Sequence, residues 1–128
     1  MTESPQTEPA LRTIAMPADT NPNGDIFGGW LLSQMDIAGS VIAHDRARGR
    51  VATVAIDAMT FLAPVYVGDL VSCYATLETE GRSSMRVCVR TFVRRRRAGE
   101  EVQVTEGYFT DVAIGQDGRS RSLPPLRS

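Results

Sequence analysis

A single carboxylate interrupts an otherwise apolar run, Gly28-Gly29-Trp30-Leu31-Leu32-Ser33-Gln34-Met35-Asp36-Ile37-Ala38. Burying a charge is costly unless the charge is paired or used, so Asp36 needs a reason to be there. Just before it, Asn21-Pro22-Asn23-Gly24-Asp25 forms a polar loop that enters Gly28 and Gly29 through Ile26 and Phe27. Small residues at a helix start leave backbone N–H groups open to a ligand oxygen. The two features are the halves of a hydrolytic site: oxyanion donors at Gly28 or Gly29, and an acid/base group at Asp36. Asp36 has two routes, general base on water or direct nucleophilic attack. Asn21 reads as a turn and cap residue, whereas Asn23 and Asp25 also stand where they can orient a water or the electrophile.

Spacing adds a constraint. Gly29 and Asp36 are seven residues apart, or roughly 10 Å at ~1.5 Å per residue of helix. Both groups must approach one carbonyl to within ~3 Å, so one chain does not complete the site. Two antiparallel helices about a two-fold axis bring Asp36 of one protomer to Gly29 of the other. The expectation is an obligate dimer with two composite sites.

The elements that position these groups follow from the hydrophobic period. Residues 11–16 form a short apolar strand that Pro17 ends. A helix is predicted over 27–47, with Leu31, Met35, Ala38 and Ile42 in one stripe and Leu32, Ile37, Val41 and Ala43 widening it; Gly49 stops it. A helix apolar on most sides is expected to be wrapped by the rest of the protein. After Gly49 the period becomes two, and strands are predicted over 51–61, 69–80, 83–96 and 101–114 in hairpin sequence. Val71, Cys73, Ala75 and Leu77 share one face of the second of these. Met85, Val87, Val89 and Val93 share one face of the third, with Arg86, Arg90 and Arg94 opposite. The class is α+β, a curled antiparallel sheet around one long helix.

The 128 residues suffice for one domain. Residues 11–121 form it, between a flexible N-terminal segment, 1–10, and a flexible tail, 122–128. Net charge is −1, which points to no bulk polyanionic partner. All 14 basic residues are arginine. Two readings apply, genome composition and phosphate recognition by the planar guanidinium. No signal-peptide pattern opens the chain, and 26–43 is too polar for a membrane span, so a cytoplasmic protein is expected. The two cysteines, Cys73 and Cys88, point to opposite sides of the sheet and read as free structural thiols. The run Arg94-Arg95-Arg96-Arg97 reads as a solvated edge that deters strand pairing, and it does not make a nucleic-acid site in a chain that is not basic.

With Asn23-Gly24-Asp25-Ile26-Phe27-Gly28-Gly29-Trp30 and Ser33-Gln34-Met35-Asp36, the chain resembles the hotdog-fold acyl-CoA thioesterases, most closely the bacterial YciA-like group. Four further segments agree in order and spacing: Arg12-Thr13-Ile14-Ala15-Met16-Pro17, Phe61-Leu62-Ala63-Pro64-Val65 with Gly68-Asp69, Gly81-Arg82-Ser83-Ser84, and Asp117-Gly118-Arg119-Ser120-Arg121. The resemblance implies the hotdog fold, a dimer joined edge to edge and often a trimer of dimers, and hydrolysis of acyl-CoA to a free acid and CoA. It gives Asp36 the essential acid/base role. It also places a polar, substrate-binding residue at Thr60, where members often carry Asn. No metal and no cofactor are implied, CoA being part of the substrate. For the pyrophosphate and 3′-phosphate of CoA, the arginine–serine turns supply Arg82, Ser83, Ser84, Arg86, Arg119, Ser120 and Arg121. Trp30, Met35, Met59 and Phe61 suit either an acyl pocket or the core. Two rival functions remain open: a non-catalytic acyl-CoA-binding sensor, and a dehydratase on the same fold. The second needs a histidine, and the only one is His44, two turns past Asp36.

Overall fold

In the computed structural model the long helix and the five strands fall within two residues of where the hydrophobic period puts them, and a single 3₁₀ turn appears where a loop is expected. They are β1 (Leu11–Ile14), a one-turn 3₁₀ helix (Pro17–Asp19), α1 (Gly28–Ala47), β2 (Val51–Phe61), β3 (Leu70–Glu80), β4 (Ser84–Arg94) and β5 (Glu101–Ala113). The structure describes residues 8–95 and 99–126. The expectations for residues 1–7, for Arg96, Arg97 and Ala98, and for residues 127–128 lie outside the described residues.

All strand pairs are antiparallel, in the order β1-β3-β4-β5-β2. The α+β class and the hotdog arrangement, one long helix against one antiparallel sheet, are as expected. The connectivity of one strand is not. β3, β4 and β5 follow one another as hairpins, but β2 pairs with β5, at the opposite side of the sheet from β1. Its distance from β3 is three strand spacings, ~14 Å, and the eight residues 62–69 can reach up to ~26 Å. Pro64 cannot serve a tight ladder, so this segment crosses the sheet end instead of turning. It is fastened on the way. Leu62 N donates to Val104 O at 2.7 Å and Ile26 N to Val65 O at 3.1 Å. Arg95 donates to Pro64 O at 2.8 Å, lies 3.6 Å from Asp69 Oδ2 and stacks over the Tyr66 ring. Arg95 is thus a brace for the crossover, not part of a solvated edge.

Between helix and sheet lies the core: Leu31, Met35 and Ala38 of α1 against Val71, Cys73, Val87, Val89, Val93, Val104 and Phe109. The strand faces match the predicted phase. Gly39 lets α1 approach Phe109 and Val89, with a built Cβ only 3.4 Å from Val89 Cγ2. The wrapping of α1 is one-sided within the chain: Ile37 and Val41 remain 50% and 40% exposed. A single five-stranded sheet has only one inner face, so it covers one side of a helix.

Two bulges distort β2, between Thr53 and Ala55 and between Asp57 and Thr60. At the second, Ala58 takes a left-handed backbone with φ 51°, a conformation that costs a non-glycine residue roughly 1–2 kcal/mol. The helix ends on Arg48, itself left-handed with φ 51°. Gly49 follows because a Cβ there meets Arg121 Nη2 at 2.7 Å. That guanidinium donates to Ala47 O at 3.0 Å and Ile114 O at 3.1 Å, placing a cation at the negative end of the helix. The beginning of the tail is tied down as well. Leu123 N donates to Arg82 O, and Arg46 and Arg48 donate to the carbonyls of Pro124 and Pro125, all at 2.7 Å.

Candidate active site

The loop before α1 is shaped by Asn21. Its side-chain oxygen accepts from Asn23 N at 2.9 Å and Asp25 N at 3.1 Å, and its own N–H donates to Asp25 O at 2.7 Å. Gly24, at φ 88°, supplies the positive φ that this tight reversal needs. Buried Ile26 anchors the far end. Phe27 is the N-cap and offers no side-chain cap. The N–H groups of Trp30 and Leu31 return to Phe27 O, whereas those of Gly28 and Gly29, in the first turn, have no intrahelical acceptor.

Above this turn lies a depression of about 400 Å³, lined by Asp25, Gly28, Leu31, Phe61, Pro64 and Val65 among others. Gly28 is covered by Phe61, 3.3 Å from a built Cβ, while Gly29 has nothing within 4 Å. Asp25 and Gly28 are therefore brought together, Gly29 follows in the same turn outside that lining, and Asn23 lies exposed at the loop tip. Thr60 is exposed on β2, one residue from Phe61.

Asp36 is half-buried on α1 and faces β2, where Thr53 Oγ1 donates to its Oδ1 at 2.7 Å. This partner was missed in the sequence, because Thr53 becomes significant only when β2 lies beside the middle of the helix. Directly across the ladder from Thr53 stands Asp111 on β5. It is fully buried, and burial chiefly pushes its carboxyl above the ordinary value; the nearby Thr53 hydroxyl works against that rise, and charge on Asp36 adds to it. A signal for Asp111 did exist: it occupies the inward phase of β5 between Phe109 and Ala113. The Asp36–Thr53 contact sits beside the free edge of β2, next to exposed Ile37, Val41, Val54 and Ile56.

The two arginine–serine turns lie side by side. Ala113 N donates to Ser83 O at 2.9 Å, Arg82 Nη1 to Ser122 Oγ at 2.8 Å, and Ile114 forms a bridge with Ser120. Arg82, Arg119 and Ser120 are exposed there. Ser84 heads β4 and faces Val112. Arg86 pairs with Asp57 at 3.1 Å and stacks on Tyr108 on the outer face of the sheet, and Arg121 braces the helix end as described. This cluster is at the C-terminal end of α1, about 28 Å from Gly28 by helix rise.

Both cysteines are free and buried. Burial raises the Cys73 thiol to about 11, far from a thiolate nucleophile. His44 is exposed in the C-terminal half of α1, two turns past Asp36, beside Ser40, Val41, Asp45, Arg50 and Val51. Among the described residues, no group of three or more His, Cys, Asp or Glu is placed to hold a metal ion, and no helix is long and apolar enough to cross a membrane.

Comparison with known proteins places the chain. A sequence profile of the thioesterase superfamily matches residues 23–100. An acyl-CoA thioester hydrolase, YciA, of Salmonella typhimurium is 50% identical over 127 residues, covering 97% of this chain and 96% of that protein. The crystal structure of a hexameric thioesterase from Yersinia pestis superposes with a TM-score of 0.90 at 51% identity, covering 96% of this chain and all of that one. An acyl-CoA hydrolase from Staphylococcus aureus, solved with butyryl-CoA and CoA, has a TM-score of 0.83 at 28% identity over 89% of this chain and 70% of that one.

Proposed function

This chain belongs to the thioesterase superfamily, and from that premise we propose that it hydrolyses acyl-CoA thioesters to a free carboxylic acid and CoA. The observation that carries the reading is Asp36. It is a carboxylate on an apolar helix, accepting a 2.7 Å hydrogen bond from Thr53 and only half-buried, so it can reach a substrate. In the general-base route Asp36 takes a proton from water as the water oxygen bonds to the thioester carbon. The charge that develops on the carbonyl oxygen goes to the N–H groups of Gly28 or Gly29. Each such donor is worth ~10²–10³ in rate. When the tetrahedral intermediate collapses, the C–S bond breaks and the proton passes to the CoA sulfur. In the nucleophilic route an Asp36 oxygen bonds to the thioester carbon instead, the C–S bond breaks and CoA leaves as a thiolate that takes a proton from water, and a second water hydrolyses the resulting anhydride.

The working unit is a dimer with two composite sites. The free edge of β2 and the apolar strip of Ile37, Val41, Val54 and Ile56 are the faces a second copy covers. An antiparallel partner on that edge brings its own glycine turn toward Asp36. Asn23, Asp25 and Thr60 then orient the water or the thioester from the glycine side. Arg82, Ser83, Ser84, Arg119 and Ser120 take the phosphates of CoA, with Arg86 and Arg121 at the rim of that cluster. The relatives solved as hexamers favour a trimer of such dimers. No metal or separate cofactor enters any step. The protein acts in the cytoplasm, where acyl-CoA is made.

The test is release of free CoA from acetyl-, butyryl-, octanoyl- and palmitoyl-CoA by wild type and Asp36→Asn in parallel. Wild type turns over, and the variant loses ~10³-fold or more in kcat with substrate binding intact. Binding without turnover by wild type replaces the hydrolase reading with the sensor reading.

A further inference from the structure

Asp111 has no task in the mechanism above, yet it is the one carboxylate on the inner face of β5. It is 0% exposed, and neither of its carboxylate oxygens has a hydrogen-bond partner among the described residues. An ionised carboxylate so placed is strongly disfavoured, whereas a neutral acid needs one acceptor. Its surroundings offer one. The cross-strand neighbour on β4 is Met85, which cannot compete, and the neighbour on β2 is Thr53. From α1 the charged group that acts on it is Asp36. The Thr53 hydroxyl has a single proton and gives it to Asp36, so its lone pairs are free to accept. The side chains of directly paired ladder residues start about 4.5–5.5 Å apart at Cβ, a separation that one carboxyl-to-hydroxyl hydrogen bond can span. Two ionised carboxylates on either side of one hydroxyl repel each other, and the buried member without donors is the one that keeps a proton.

We infer that Asp111 is a positioning residue: as a neutral acid it donates to Thr53 Oγ1, commits the Thr53 proton to Asp36, and leaves the negative charge of the pair on Asp36. The inference rests on the reading of Asp36 as the acid/base group. It makes Asp36–Thr53–Asp111 an unequal carboxylate pair joined through a hydroxyl, with burial deciding which member is neutral.

Two measurements on the purified protein test it. The first is the infrared difference spectrum of wild type minus Asp111→Asn at neutral pH, where the carbonyl stretch of a protonated carboxylic acid is expected. The second is kcat and KM for butyryl-CoA across pH for wild type, Asp111→Leu, Asp111→Asn, Thr53→Val and Asp36→Asn. Asp111→Leu and Thr53→Val each lower kcat on the order of tenfold, the worth of a hydrogen bond to a charged group, with KM unchanged. Both move the acidic limb of kcat to higher pH, because Asp36 loses support for its charge. Asp111→Asn restores a neutral donor and recovers most of the rate and the limb. The inference is overturned by absence of the infrared band, by wild-type kcat and limb in Asp111→Leu, or by a loss in Asp111→Asn as large as that in Asp111→Leu. Full activity in Asp36→Asn instead brings down the reading of Asp36 and the positioning role with it. An inactive Asp36→Asn without the Asp111 band overturns this inference alone.

Discussion

If each site is built from Asp36 of one protomer and the glycine turn of the other, two dead variants can repair each other. The perturbations are Asp36→Asn, which removes the base, and Gly29→Pro, which removes one helix-start N–H. Gly29 suits this because it lies in the first helical turn, where proline is tolerated, and has open space around its α-carbon. Each parent falls by ~10²–10³-fold or more. Co-expressed in equal amounts with different tags, the two chains form mixed dimers as about half of all dimers, and in each mixed dimer one of the two composite sites has both wild-type halves. The expected activity is therefore about one quarter of wild type, at least tenfold above either parent. The geometry behind it is the roughly 10 Å of helix between Gly29 and Asp36, which a single chain cannot close. The assay is CoA release per total protomer in the mixture, and mixed dimers isolated by tandem purification are expected at about one half of wild type. Activity equal to the mean of the two parents refutes the composite site and puts both groups of one site on one chain.

Other outcomes follow from named contacts. The Asp111 carboxyl is raised in the folded state, so the native protein keeps a proton that the unfolded chain releases above the ordinary value of 3.8. Stability then falls as pH rises past that value, until the folded-state pKa is passed. Asp111→Asn removes the slope: thermal melts show a gain over wild type near neutral pH that shrinks to nothing below 3.8. Arg121→Met loses the bonds to the Ile114 and Ala47 carbonyls and costs about 1–2 kcal/mol in denaturant titration. Arg119→Ala, exposed at a turn, changes stability by less than ~0.5 kcal/mol and raises KM for acyl-CoA. Cys73, buried with its thiol raised to about 11, stays unmodified by a thiol reagent at mildly alkaline pH until the protein is unfolded.

The helix, four long strands and their inward faces were legible in the sequence because each is written by local periodicity. Val71, Cys73, Met85, Val87, Val89 and Val93 alternate as a half-buried sheet must, and Leu31, Met35 and Ala38 recur as a core-facing helix must. The glycine turn and Asp36 were legible because a charge on an apolar helix and glycines at its start are local anomalies. What local pattern could not supply is adjacency. Period two does not say which strand lies beside which: it places β2 in the hairpin series, whereas the eight-residue crossover carries it to the edge beside β5. That placement sets Thr53 against Asp36 and Asp111 behind Thr53, joining residues from three elements far apart in the chain. Arg95 and Arg121 illustrate the same limit, since a guanidinium reads as a surface charge until a carbonyl from a distant segment lies within its reach. Residue order determined the elements and the anomaly of a carboxylate on an apolar helix, because those depend on neighbours within a few residues. Folding alone decided which groups surround that carboxylate, because hydrogen bonding and burial depend on distance in space.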